Sequence, residues 1–271
     1  MMRDLQFGKQ PRRFGVVAAA LMFWICAPSS ARADERLQEL LARAGEQSVA
    51  FVEQFSNVKC TEQVIQEKLN KDGKVELKEE SSYDYLVILT NTEGELSLDE
   101  SRLALKEAKA DKKNRPLLVT NGFSTLFLVF HPFYANSFDF TLQGDEMQNG
   151  RLVTKIAFQH IRGMRSVAAL ALRGREYPLE ISGTAWLDAQ TGAVTRIVAS
   201  VEDTMEDVGF KTLRAETQFA PVAFQGAKHT YWFPAEARVE VETPRQHWRN
   251  THRFADYKRF SVSTEEQVVT K

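Results

Sequence analysis

The chain has 271 residues, 43% of them hydrophobic and 26% charged, which is the composition of an ordinary globular protein. Its formal net charge is −1, and residues 34–271 alone carry 30 Lys+Arg against 35 Asp+Glu, a net charge of −5. This acidic balance argues against nucleic acid or an anionic membrane surface as the main partner.

The first 33 residues have the three-part layout of a secretory signal peptide. A basic start from Arg3 to Arg13 precedes an apolar run over Phe14–Ala27, and Ala31-Arg32-Ala33 forms an A-x-A cleavage pattern. The apolar run is about 14 residues long, shorter than the ~20 that span a bilayer. We therefore predict a signal peptide over 1–33 that is cleaved after Ala33, no transmembrane segment after cleavage, and export to the periplasm or outer envelope.

The cysteine count limits how this fold is stabilised. Cys26 lies in the predicted signal, which leaves Cys60 as the only cysteine of the mature chain. A single cysteine cannot form an internal disulfide, so we expect stability from packing and a buried, unreactive Cys60.

The mature chain is predicted to open with an amphipathic helix over about 35–55. Apolar residues recur there mostly at three-, four- and seven-residue steps, which places them on one helical face: Leu37, Leu40, Leu41, Ala44, Phe51 and Phe55.

After this helix the hydrophobic period changes to two. Alternation over 58–69, the Asp72-Gly73 turn, a return strand over 74–90, a second turn at 91–94 and a strand over 95–105 predict a meander of antiparallel strands. The connections are too short for parallel crossovers. The charged run 106–115 is predicted to be a solvated loop.

The Phe-rich stretch 120–138 is the most unusual segment by composition. Asn121 or Ser124 could cap a short helix, and Pro132 would end it. Such a helix is apolar nearly all round, so it must be covered on more than one side. Its predicted face consists of Phe123, Leu126, Phe127 and Phe130.

Alternation resumes in two further hairpins. The first joins 138–142 to 151–161 through a polar link flanked by Gly144 and Gly150, and a short helix is predicted at 166–172 in the irregular segment that follows. The second, Gly183–Ile197, reads GTAWLDAQTGAVTRI, with Gly192 supplying the left-handed residue of its turn. Val194 and Arg196 are predicted on one face of its return strand.

Strands at 210–219, 230–233, 236–242 and 247–262 complete a single domain over 34–271. The predicted fold class is α+β and mainly antiparallel β, with about 9–11 strands and two or three helices. One curved open sheet would be covered by the N-terminal helix and the short Phe-rich helix.

The sequence contains no recognisable catalytic or metal-binding motif. His247 and His252 are the only close histidine pair, and their odd separation places them on opposite faces of a strand. Adjacent acidic pairs such as Asp99-Glu100 diverge in the same way, and the basic, aromatic stretch 247–260 is interpreted as a closing strand. We predict no enzyme activity, no cofactor and no metal, and keep a hydrolase with an unfamiliar site as an alternative.

The hairpin Gly183–Ile197, the N-terminal helix and the Phe-rich insertion together resemble the bacterial lipoprotein-carrier superfamily of LolA- and LolB-like proteins. The resemblance covers nearly the whole mature chain and rests mainly on the Gly-x-Ala-Trp-Leu-Asp-x-x-Thr-Gly pattern. It implies a curved antiparallel half-barrel covered by helices, whose concave apolar surface receives acyl chains. No residue here matches the gating arginine of the dedicated carrier.

The predicted function is that of a non-catalytic envelope protein that carries or senses a lipid or other acylated ligand. The Phe-rich face would form the lid of the cavity, and Trp186 or Trp232 would lie at its wall. The alternative is a sheet filled by its own side chains, which would serve as a structural or protein-interaction module of the envelope with a protein partner.

Overall fold

The computed structural model describes residues 29–92, 95–105, 122–172, 175–201, 209–224 and 230–260. Helix α1 spans Ser29–Phe55, a 3-10 helix spans Phe123–Phe130 and α2 spans Pro132–Ala135. The strands are β1 Val58–Leu69, β2 Val75–Thr92, β3 Glu95–Ala104, β4 Phe138–Gln148, β5 Arg151–His160, β6 Ala169–Leu172, β7 Arg175–Pro178, β8 Ile181–Asp188, β9 Val194–Val201, β10 Thr212–Ala223, β11 Thr230–Glu242 and β12 His247–Arg259.

Ten of these strands form one antiparallel sheet in the order β3-β2-β1-β12-β11-β10-β9-β8-β5-β4. Strands β3 and β4 are its two edges, so the sheet stays open. One face carries α1, the 3-10 helix and a continuous apolar core. The predicted fold class, a mainly antiparallel open half-barrel covered by helices, is confirmed.

Helix α1 packs its apolar stripe onto the sheet, as the spacing of those residues predicts. Leu40, Ala44 and Phe55 are at most 2% exposed, while Glu39 and Glu46 on the opposite side face solvent. The helix begins at Ser29, six residues before its predicted start, and runs through the predicted cleavage point after Ala33. Residues 1–28 lie outside the described part of the chain.

The Phe-rich stretch forms a tight 3-10 helix with every residue from Ser124 to Phe130 buried. The residue before the helix is Gly122, which adopts the left-handed conformation with φ 78°. No side chain caps the helix at this position. Pro132 opens α2 at its first position, where a proline loses no hydrogen bond. The predicted cap Asn121 and the charged run 106–115 lie outside the described residues.

Two predictions about the segment 138–172 are wrong. Gly144 lies within β4 at a register shift, and the hairpin turns at Asn149-Gly150, because a bulge lets the strand continue past a glycine. No helix forms at 166–172: Ala169–Leu172 is strand β6 of a small β6–β7 hairpin, and the three residues before it are irregular. Its alanines and leucines have no fixed preference between helix and strand in so short a segment.

The hairpin β8–β9 has the predicted turn, with an added bulge. Asp188 Oδ1 accepts hydrogen bonds from the backbone N–H of Gln190 and Thr191 at 3.0 and 2.9 Å, and Gly192 has φ 76°. The register shifts between Trp186 and Leu187, so Val194 enters the core while Arg196 does not, contrary to the prediction that the two share a face.

Candidate functional site

A narrow pocket lies between α1 and the helix-bearing face of the sheet. The free space inside it is only about 40 Å³, within a volume of about 460 Å³ that also counts the solvent at its mouth. Helix α1 forms one wall, the 3-10 helix closes the inner end, and strands β9 to β11 form the other wall. The lining residues are Ala44, Gln47, Ser48, Ala50, Phe51, Phe127, Ala193, Val194, Phe219, Tyr231 and Trp232.

Aromatic rings form the floor of this pocket. The ring of Phe51 on α1 lies 4.0 Å from that of Phe127 and 5.4 Å from that of Phe233, measured between centroids. Phe127 also meets Phe219 edge to face at 6.0 Å. Contacts of this kind hold α1 and the 3-10 helix onto the sheet and give the pocket a rigid apolar base.

Ser48 is the one polar side chain buried in the wall of this pocket. It is 3% exposed, and its hydroxyl has no hydrogen-bond partner among the described residues. A buried hydroxyl without a partner carries an unrecovered desolvation cost. A polar group of a bound molecule would recover it.

The predicted site residues do not all lie together. Phe127 and Trp232 line the pocket, whereas Leu126 lies in the closed core beneath it. Phe130 faces an outer groove, and Phe123 borders a small polar cavity described below. The predicted lid is therefore part of the core, with only one of its four members at the pocket.

Trp186 lies on the face of the sheet that is opposite to the helices. Its indole N–H donates to Glu146 Oε1 at 2.7 Å, and the guanidinium of Arg196 stacks over its ring at 4.4 Å. Arg196 also donates to Glu216 on the neighbouring strand β10 at 2.9 Å. Trp186 thus lies among charged side chains on the outer face of the sheet and does not line the pocket.

The outer groove runs along the exposed side of α1 toward α2 and the start of β4. Two adjoining depressions of about 790 and 940 Å³ share Leu41, Phe130 and Ala135. Both volumes include open solvent.

A cluster of buried charges lies on the concave side of strands β1, β3 and β12. Glu62 is 0% exposed and accepts two hydrogen bonds from Arg102, at 2.6 and 3.0 Å. His252 Nδ1 lies 2.8 Å from Glu62 Oε1, the oxygen that also accepts the 3.0 Å bond from Arg102. Arg102 also pairs with Glu100 at 2.8 Å, and the backbone N–H of Gly122 donates to Glu100.

The two carboxylates of this cluster are shifted in opposite directions. Burial raises the pKa of Glu62, but hydrogen bonds from His252 and Arg102 outweigh it, so the net pKa is lowered. Burial dominates at Glu100, and its pKa is raised despite the neighbouring Arg102 and the Gly122 N–H. Arg102 remains charged because its ion pairs raise its pKa.

This cluster connects the start of the 3-10 helix to the sheet. The Gly122 N–H contacts Glu100, and Ser124 Oγ lies 2.8 Å from the hydroxyl of the fully buried Tyr85. Although a serine, a histidine and a glutamate border one small cavity, Ser124 is engaged by Tyr85 and the free space inside the cavity is only about 10 Å³. The arrangement holds an element in place and offers no space for a substrate.

Sequence reasoning missed this cluster, although one signal was available. Glu62 has the same parity as Cys60 and Val64, so it had to lie on the core face of β1. His247 contacts Glu240 while His252 turns inward, which confirms that the two histidines diverge. Burial raises the pKa of Cys60 to about 12, in agreement with an unreactive thiol.

No group of three or more potential ligands that could hold a metal occurs among the described residues. Within the same ranges, no helix is long and apolar enough to cross a membrane.

No protein-family model matches this chain, and no curated protein matches it. Among solved structures it is similar to a DUF1329 family protein from Desulfovibrio piger, at 12% identity and a TM-score of 0.42, covering 87% of this chain and 95% of the other. A LolA superfamily protein from Nitrosomonas europaea matches at 11% identity and 0.35, covering 83% and 94%.

A third structure, a putative outer membrane lipoprotein-sorting protein domain from Vibrio parahaemolyticus, matches at 13% identity and a TM-score of 0.37, covering 89% of this chain and 95% of its own. All three solved structures are about 12% identical to this chain, at TM-scores below 0.5.

Proposed function

We propose that this protein is an exported, non-catalytic carrier or sensor that binds one acyl chain in the pocket between α1 and strands β9 to β11. The observation that carries the proposal is the pocket itself, with an apolar floor and a single buried hydroxyl, Ser48, that lacks a partner. An elongated apolar ligand with one polar group is the chemistry that fits both features.

Burial of the acyl chain would supply the main driving force for binding. Each buried methylene contributes ~0.8 kcal/mol, so eight would contribute about 6 kcal/mol before ordering costs. No group in the pocket needs to react, and a ligand of this kind is solubilised rather than converted.

The second candidate function is a ligand-free structural or protein-interaction module of the envelope. Dense ring packing on the concave face favours it, because the rings of Phe51, Phe127 and Phe233 fill much of the space that a larger ligand would need. The outer groove along α1 would then be the surface for a protein partner.

Uptake of a fluorescent C12 fatty acid tests the choice between these functions. We expect saturable binding by the wild-type protein and, in detergent-free preparations, co-purifying lipid in the mass spectrum. Gln47, which is exposed on α1 and lines the pocket but not the outer groove, allows a blocking substitution, Gln47→Trp. This variant should lose uptake.

The matched control is Glu39→Trp, which adds the same side chain to an exposed position of α1 that does not line the pocket. It should bind like the wild type. No uptake by the wild type and no co-purifying lipid would overturn the carrier proposal in favour of the interaction module. Intact-mass measurement of the exported chain tests the cleavage after Ala33.

A further inference from the structure

Two arginines lie against the aromatic residues at the mouth of the pocket. Arg151 of β5 stacks over the ring of Trp232 at 5.3 Å, and Arg259 of β12 stacks over the ring of Tyr231 at 5.0 Å. Tyr231 and Trp232 are neighbours on β11 and both line the pocket. In the order of the sheet, β12 lies on one side of β11 and β5 lies on the other. The two cations therefore approach the entrance of the pocket from opposite sides.

Neither arginine is neutralised by a close carboxylate within the described residues. Arg151 has only a long contact to Asp188, at 3.8 Å, and its side chain is 55% exposed. Arg259 donates to the neutral amide of Gln54 at 2.9 Å and has no ion pair within the described ranges. In a mature chain with a net charge of −5, such cations stand out.

Stacking on an aromatic ring fixes the guanidinium face but leaves its N–H edge free to donate. That edge matches the two oxygens of a carboxylate or a phosphate. Arg259 is also tied to α1 through Gln54, three residues after the pocket-lining Phe51, which places its charge beside the helix that covers the pocket.

We propose that the ligand is an anionic amphiphile, in which an acyl chain enters the pocket while a carboxylate or phosphate headgroup is held by Arg151 and Arg259. This inference rests on the proposed function and adds the chemical class of the ligand. Ser48 then contacts the polar group nearest the chain, and the arginines contact the charge outside.

Equilibrium dialysis with three radiolabelled C12 ligands tests the headgroup separately from the chain: dodecanoate, 1-dodecanoyl-glycerol-3-phosphate and the neutral dodecanol. We expect one or both anions to bind about five- to tenfold more tightly than dodecanol, and the preference between them identifies carboxylate or phosphate as the source of the charge. The anion preference should fall in 0.5 M salt, because exposed charges are screened.

The variants Arg151→Gln and Arg259→Gln should each reduce anion affinity about two- to fourfold and leave dodecanol binding unchanged. The matched control is Arg238→Gln, since Arg238 is an exposed arginine of β11 that pairs with Glu240 away from the pocket. It should alter neither class of ligand.

Equal affinity for all three ligands overturns the headgroup assignment while the carrier proposal stands. An anion preference that survives when Arg151→Gln and Arg259→Gln are combined in one protein has the same consequence. Failure of all three ligands to bind overturns both.

Discussion

The buried charge cluster predicts that Arg102→Met is among the most destabilising substitutions in this chain. The variant keeps the length of the side chain but removes the cation that contacts Glu62 at 2.6 Å and Glu100 at 2.8 Å. Both carboxylates are at most 2% exposed, so each would be left buried without its main counter-charge. Breaking one side of a buried ion pair costs about 3–5 kcal/mol.

That cost is a large share of the ~5–15 kcal/mol that holds a typical domain folded. Urea unfolding, followed by tryptophan fluorescence and far-UV circular dichroism, would report it as a lower midpoint with an unchanged slope. The matched control is Arg238→Met, because Arg238 pairs with Glu240 at 3.4 Å on the surface with 48% of its side chain exposed. A surface pair contributes less than about 1 kcal/mol.

A background with Glu62→Gln and Glu100→Gln separates lost charge from lost packing. There, Arg102→Met should cost less than half of its value in the wild type, since no uncompensated carboxylate remains. An equal, small loss for Arg102→Met and Arg238→Met would refute the reasoning, because it would mean that water or another cation reaches the carboxylates.

Three further results are expected. The stability that wild type holds over Glu62→Gln should be constant above about pH 4.5 and shrink as pH falls below it, because the pKa of Glu62 is lowered and its charged form is the stabilising one. For Glu100→Gln, whose parent carboxyl has a raised pKa, the difference should shift in favour of the variant as pH rises above about 4.5, and pH dependences of the same sign for both would contradict the opposite shifts. Without ligand, Ser48→Ala should be as stable as wild type or more stable by about 1 kcal/mol in thermal unfolding, since it removes a hydroxyl without a partner, and a clear loss would reveal a hidden bond. Gly192→Ala should lower the unfolding free energy more than Gly73→Ala. Both glycines have positive φ, but only at Gly192 would an added Cβ collide with α1, 2.7 Å from Cβ of Arg43. Equal losses in urea unfolding would mean that α1 moves aside freely.

The elements that local pattern determines could be predicted from the sequence. Alternation and the Asp72-Gly73 and Asp188–Gly192 turns specified their hairpins, because turn chemistry and side-chain parity act within a few residues. The bulges at Gly144 and Thr195 could not be placed, since an extra residue in a strand depends on what packs against it.

Only part of the candidate site could be predicted from the sequence. Phe127 and Trp232 could be predicted because aromatic residues stand out in the composition of the chain. The contribution of Phe51 and Ser48 depends on how α1 lies across β9 to β11, which no local pattern encodes. The parity of Glu62 pointed inward, but its partner His252 is 190 residues away and could be found only once β1 was paired with β12.

The pairing of β1 with β12 also determines when this protein can fold. The last strand lies between β1 and β11, so without it the sheet falls into a three-stranded piece and a six-stranded piece. Closing a loop on the order of 200 residues costs ~5 kcal/mol of chain entropy before any contact repays it. The complete sheet therefore forms only after synthesis has passed His247–Arg259, so the first and last strands of the described chain complete it together.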